Sequence, residues 1–295
     1  MLGTVSAAVK TAAVSLRVRG GALASEAGRQ YVRLMANIRL LGAAAVAERT
    51  RDTHGRDASP RRLALIALLA IARDEGVERG RAATLLWHRE GELAAREKLD
   101  RLVRALRAEL GADTVVDLGE TMRLDTGRVH VDVVDFEDAC DAGDFERAAA
   151  DYDGEFLEGF FLEDAVDFEQ WASDQRTRLT ARAAAVLDGL AAIAGGHGET
   201  QRMIELLRRR ADLEPYASAP TLALMRALEA SGDAHDALRA GRTYESRVRT
   251  FLETDPAPEV LAETRRLRAI VGPAATPANG AVVPEVGGQA PGVRR

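Results

Sequence analysis

Between Leu93 and Leu110 the chain sets cations and small residues against a row of leucines. Leu99, Leu102, Val103, Leu106 and Leu110 recur at helical spacing and define one face of an α-helix. At roughly 100° per residue, the opposite face carries Glu97, Arg101, Arg104, Ala105 and Ala108, with Lys98 and Arg107 on its flanks. A guanidinium is planar, permanently charged and donates in a fork, so it fits phosphate oxygens or, bidentately, a guanine edge. Alanines beside it let such a helix lie close to a polyanion. The same residues also suit an ordinary solvated face with Glu97 and Arg101 as an i,i+4 ion pair. A solvated face tolerates substitution and a groove-reading face does not. Four further cations have suitable settings. Arg123 and Arg128 lie around a hairpin that can meet a phosphate backbone or minor groove. Arg61 and Arg62 lie at a helix N-terminus, where unpaired backbone N–H groups also favour phosphate.

Other chemistries find no support in residue spacing. His54, His88, His130, His197 and His235 are scattered, without metal-ligand spacing and without paired cysteines. No glycine loop cradles a phosphate, and there is no nucleophile elbow or kinase signature. The acidic residues of 132–169 follow helix surfaces and not a Ca²⁺-loop pattern. The single cysteine, Cys140, excludes an internal disulfide framework and reads as a structural thiol in a reducing compartment. The expectation is a protein with no catalytic site, no metal and no cofactor.

The elements that position the cations follow in order. Ile38–Leu41 is strand-like and ends at Gly42, and 48–58 is a polar loop. Ser59 and Pro60 cap and open a helix that runs to Ala72. A short helix covers about 78–87, and the leucine-lined helix covers 93–110 before Gly111. Two β-prone runs, Thr114–Leu118 and Met122–Leu124, flank Gly119-Glu120-Thr121 as a hairpin, and Arg128–Val133 is placed as an extension of its sheet. Strand, three helices and hairpin make the layout of a winged helix-turn-helix, whose last helix enters a DNA major groove. Beyond Val134 only helices are expected, at about 134–152, 164–195, 199–213, 217–231, 234–253 and 257–270. An interval of 34 residues relates Gly198 to Gly232, Leu190 to Leu224 and Ala194 to Leu228, which matches a tetratricopeptide-like helix pair. Gly143-Asp144 and Gly232-Asp233 repeat one helix entry.

The bulk properties agree with two mainly helical parts. With 295 residues, 46% apolar and only 4% aromatic, cores must be built from Ala, Leu and Val. Residues 1–130 hold 22 basic against 16 acidic side chains, whereas 131–295 hold 18 against 30. A basic front suits a polyanion and an acidic back suits protein contacts, although an acidic solvated surface has the same composition. Only Lys10 and Lys98 are lysine, a bias read as genomic, so arginine abundance alone signifies nothing. The longest apolar run, Leu63–Ala72, is too short to span a bilayer. The expected division is an extension over 1–34, with Met35 as the true start, a winged helix over 35–133, a helical domain over 134–271, and a disordered Pro/Gly tail over 272–295.

Separated motifs agree in order and spacing with a known group. In front stand Ile38-Arg39-Leu40-Leu41-Gly42, the helix Arg61–Ala72, Leu85-Leu86-Trp87, Leu99…Leu102…Leu106-Arg107…Leu110-Gly111, Met122-Arg123-Leu124 and Val131-Asp132-Val133…Phe136-Glu137. Behind them come Gly143-Asp144…Ala148, Tyr152-Asp153-Gly154-Glu155-Phe156-Leu157-Glu158-Gly159-Phe160-Phe161-Leu162 and Phe168-Glu169-Gln170-Trp171. Leu224-Met225-Arg226-Ala227-Leu228…Ser231-Gly232-Asp233 and Pro256-Ala257-Pro258-Glu259 close the series. From about Ile38 to Ile270 the chain resembles regulators with a bacterial transcriptional activator domain, including activators of the antibiotic-regulatory-protein type. The resemblance implies a cytoplasmic, non-catalytic transcription regulator that binds double-stranded DNA through the third helix and wing. It also implies that the helical domain contacts RNA polymerase or another protein, or a second protomer on direct-repeat sites. Three positions depart from the family: Asp100 and Ala105 stand where arginine is usual, and His88 where proline is. Two missing cations each lower the salt slope of binding by about one. A helical-repeat scaffold whose winged helix no longer binds DNA is the alternative these departures suggest.

Overall fold

The computed structural model describes residues 36–42, 45–46 and 60–272. The expectations for residues 1–34, the 48–58 loop, the Ser59 cap and residues 273–295 lie outside the described residues. The elements are β1 (Ala36–Arg39), β2 (Ala45–Val46), α1 (Pro60–Ala72), a 3-10 turn (Arg73–Glu75), β3 (Val77–Glu78), α2 (Arg79–Leu86) and α3 (Glu92–Leu110). They continue with β4 (Val115–Asp117), β5 (Thr121–Leu124), β6 (Val129–Val131), α4 (Asp132–Asp141), α5 (Phe145–Asp151) and α6 (Val166–Gly196). Last come α7 (Thr200–Leu213), α8 (Ser218–Ala230), α9 (Ala234–Arg247), a π turn (Val248–Leu252) and α10 (Pro258–Val271). The chain is mainly helical, a winged helix-turn-helix followed by stacked helices. The described residues up to Glu199 form one compact unit and those from Thr200 onward a second.

The expected hairpin forms, pairing Val115 with Leu124 and Asp117 with Met122, and Thr121 lies in β5 rather than in the turn. It is widened by β3 and not by the segment after it, giving the order β3-β5-β4. The strand expected to extend the hairpin, β6, instead lies parallel to β1, with Ile38 opposite Val131. Its alternation of buried Val129, exposed His130 and buried Val131 fits a half-buried strand of any sheet. The partner was therefore not encoded locally. The helix expected over 134–152 is two helices. Gly143 takes φ +69°, a left-handed conformation that ends α4, and the Asp144 carboxylate then accepts the Arg147 N–H to cap α5. Gly232 and Asp233 repeat the device ahead of α9, with Asp233 accepting the Asp236 N–H at 2.9 Å. The helix expected over 234–253 ends at Arg247 and passes into the π turn.

One short segment joins the winged helix to the helices that follow it. Leu40 and Leu41 are fully buried, and their N–H groups donate to the two oxygens of Asp132 at 2.7 and 3.0 Å. Asp132 opens α4 and also accepts the N–H of Val133. On its other side the segment is bound by the 155–158 loop. Leu157 N–H donates to Leu40 C=O, Gly42 N–H to Glu155 C=O, and Leu41 bridges Phe156. At Gly154 a Cβ would meet the Gly42 Cα at 2.7 Å, so the two backbones touch where only glycine fits. Several of the aromatics gather here. Phe156 stands edge-on to Trp171, Phe168 lies tilted against Trp171 with ring centres 5.3 Å apart, and Phe136 lies 5.1 Å from Tyr152. Helix α6 is long and apolar enough to cross a membrane by length and composition, but ten of its side chains are buried.

Burial raises the Asp132 carboxyl to about 6, against the pull of its three N–H donors and of Arg39. The folded protein therefore holds a proton that the unfolded chain releases near pH 4, and stability contributed at this site falls as pH rises from about 4 to about 6, by up to about 3 kcal/mol. In urea unfolding, Asp132→Asn abolishes that slope while costing about 1–2 kcal/mol for the mismatched N–H. By the same measurement Gly154→Ala destabilises by about 1–3 kcal/mol, with an unchanged m-value.

Candidate nucleic-acid interface

Helix α3 is positioned by what it buries. Ala95, Leu99, Leu102, Val103 and Leu106 are buried, and α2 packs along the helix. The other face exposes Glu97, Asp100, Arg101, Arg104 and Ala108, with Ala105 half-buried. Glu97 and Arg101 form no ion pair, and Arg101 has no hydrogen-bond partner among the described residues. Arg104 donates its Nε–H to the Asp100 carbonyl of its own helix at 3.2 Å and is otherwise exposed.

The other sequence-derived cations are engaged internally. Lys98 pairs with Glu90. Arg107 donates twice to the Val115 carbonyl, at 3.0 and 2.8 Å, which clamps α3 to β4. Arg62 pairs with Glu109 near the end of α3 at 2.6 Å. Arg61 donates to the carbonyls of Leu86 and Glu163 and lies 5.8 Å from the Trp87 ring centre, a tie between helix ends. Arg123 sits mid-strand opposite Val116 and meets Asp74, and Arg128 lies at the hairpin base against Asp113 and Asp125. The hairpin tip is Leu118-Gly119-Glu120, with no cation. Lys98, Arg101, Arg104 and Arg107 thus share one helix, whereas Arg61, Arg62, Arg123 and Arg128 are dispersed among separate partners.

Sequence reasoning missed the residue that fixes helix and wing together. Arg79, the first residue of α2, pairs with Asp100 on α3 at 2.7 Å and with Asp117 on β4 at 2.6 Å. Its backbone N–H also donates to the Glu120 carbonyl in the hairpin turn. The guanidinium hydrogen bond holds the Asp117 carboxyl below the usual carboxylate range. Two carboxylates outweigh desolvation at Arg79 and raise its own pKa. Asp100, the acid on the outward face, is therefore a strut. Arg96 lines the same recess beside Arg79 and Asp100, paired with Glu92 at 3.1 Å, and Arg81 is exposed on α2. The only sequence signal for this set was a cation cluster at a helix start, Arg79-Gly80-Arg81.

A three-helix unit with a β-hairpin clamped to its last helix is a winged helix-turn-helix, here continued by helices α4 to α10. The profile described as bacterial transcriptional activator domain matches residues 116–268. The chain belongs to the bacterial transcriptional activator domain family. The match takes in the hairpin and the helices behind it, and α3 lies ahead of its start. Among solved structures, the fold is similar to Mycobacterium tuberculosis EmbR in complex with low affinity phosphopeptide. That likeness has a TM-score of 0.51 and 23% identity, and covers 80% of this chain and 65% of that one. The chain thus spans just under two thirds of that protein's length. No curated protein sequence matches.

Replacing Arg79 by Met removes both struts and keeps the aliphatic stem. The expected loss is about 1 kcal/mol, since the carboxylates are partly exposed. Hydrogen exchange should rise selectively over residues 115–124; a uniform rise along the chain would contradict the strut role.

Proposed function

We propose that this protein is a cytoplasmic transcription regulator that binds double-stranded promoter DNA through α3, with the β4–β5 hairpin at the flank, and has no catalytic activity. One observation carries the reading: Arg101 and Arg104 stand exposed among small residues on the outward face of a leucine-anchored helix, and Arg101 is unengaged. Arg101 and Arg104 serve as the primary contacts, with Arg81 and Arg96 as phosphate contacts beside them. Lys98, Arg107, Arg123, Arg128, Arg61 and Arg62 contribute positive potential and hold the module in shape, and their internal pairs exchange for phosphate where the duplex reaches them. The winged helix, 35–133, reads DNA, and the helical domain, 134–271, contacts RNA polymerase or another protein and activates. A second protomer binds alongside on direct repeats.

The acid at Asp100 and the many internally paired arginines favour a second reading, a helical scaffold with a winged helix that no longer binds DNA. One experiment separates them. Full-length protein is titrated with pooled random-sequence duplex, and with a selected site, at several salt concentrations. Regulatory function predicts binding that weakens about 10–100-fold in Arg101→Ala/Arg104→Ala, with a salt slope smaller by about 2. Binding that is undetectable at low salt, or indifferent to the double substitution, supports the scaffold.

A further inference from the structure

The second unit carries an open groove of about 590 Å³ along α9, its π turn and the end of α10. The apolar part of its lining is Leu238, which is buried, Val271, which is half-buried, and Phe251, which is 68% exposed. The charged part is Arg239, Arg242 and Arg247, and no carboxylate side chain lines the groove. Arg239 is neutralised by Asp236, and Arg247 lies 3.5 Å from Asp212. Arg242 is exposed and has no ion pair or hydrogen bond among the described residues. It lies one turn beyond Leu238, so cation and apolar surface share a face of α9.

The backbone is irregular at the same place. Val248–Leu252 is wound as a π turn, and Glu253 after it takes a left-handed φ of +53°. A π turn inserts an extra residue and shifts the side chains after it, and such strained segments gather at binding sites. Here the turn contains Phe251, the most exposed of the apolar lining residues.

We propose that this groove binds a small amphipathic organic anion, with an aromatic or alkyl body against Leu238, Phe251 and Val271 and its carboxylate on the Arg242 guanidinium. The volume falls within the range of about 300–1,000 Å³ usual for small-molecule sites. A docked helix would need apolar anchors over at least two turns, about 10 Å, whereas the apolar lining here is three side chains. The inference concerns the second unit alone and stands apart from the DNA-binding reading.

The test is calorimetric titration of the full chain with three probes of one shape: 1-naphthylacetate, 1-naphthylethanol and 1-naphthylmethylammonium. The acetate is expected to saturate at one per chain, with the alcohol about tenfold weaker and the ammonium weaker still. Arg242→Ala and Phe251→Ala, both at exposed positions, should each weaken the acetate about tenfold while thermal unfolding stays unchanged. Equal affinity for all three probes overturns the proposal, as does an acetate affinity indifferent to Arg242→Ala or no saturation up to about 5 mM. A tenfold rise in affinity on removing residues 273–295 would give the groove to the chain's own end and overturn it too.

Discussion

The segment Leu40–Gly42 is the constraint on which the first unit depends. Its peptide groups are buried, and a buried N–H or C=O without a partner costs about as much as a lost hydrogen bond or more. β1 already pairs with β2 and β6, so the groups beyond it need other partners. Asp132 supplies two acceptors from the start of α4, and the 155–158 loop supplies the remainder. These partners come from about 90 and 115 residues further along the chain. The winged helix and the helices α4 to α6 are thereby closed around one strand, and all of them fall inside a single compact unit.

The candidate interface follows from a division of labour among arginines. Among the described residues many arginines are taken up by internal carboxylates or carbonyls, and several of these contacts fix one element against another. Arg107 fastens the wing to α3, Arg62 meets the end of α3, and Arg79 joins α2, α3 and β4. What stays outward is a short list headed by Arg101. A few unpaired cations on a rigid helix suit recognition, because their geometry is set before any ligand arrives. Asp100, an acid where the family usually has arginine, is explained by the same division: it gives up a possible contact and anchors Arg79.

The second unit works by different means. Its helices α7 to α10 pack on their sequence neighbours, with Leu224, Met225, Leu228, Leu238, Val260 and Leu267 buried between them. Polar pairs tie neighbouring helices at the surface, Arg266 to Glu229, Ser218 to Glu259 and Arg208 to Asp236, and the π turn at Val248–Leu252 interrupts the regular stack.

Helix identity and facing were legible in the sequence, because a 3.6-residue period and a glycine or aspartate cap are local properties. Leu99, Leu102, Val103 and Leu106 point inward as their spacing requires, and Gly232 turns the chain between the two helices expected there, whereas the break at Gly143 divides what was expected as one helix. The hairpin was legible from its polar turn between two β-prone runs, and its register came only with the fold. Partner choice was not legible. A strand such as Val129–Val131 carries the alternation of a half-buried edge but no record of which strand it will meet. The tertiary structure alone decided that it joins β1, that Asp132 caps a distant strand end, and that Arg107 is taken up by the wing while Arg101 keeps no partner among the described residues. An arginine reads alike in sequence wherever it lies; whether its charge is used up inside the fold depends on which carboxylates and carbonyls folding brings within about 3 Å of it.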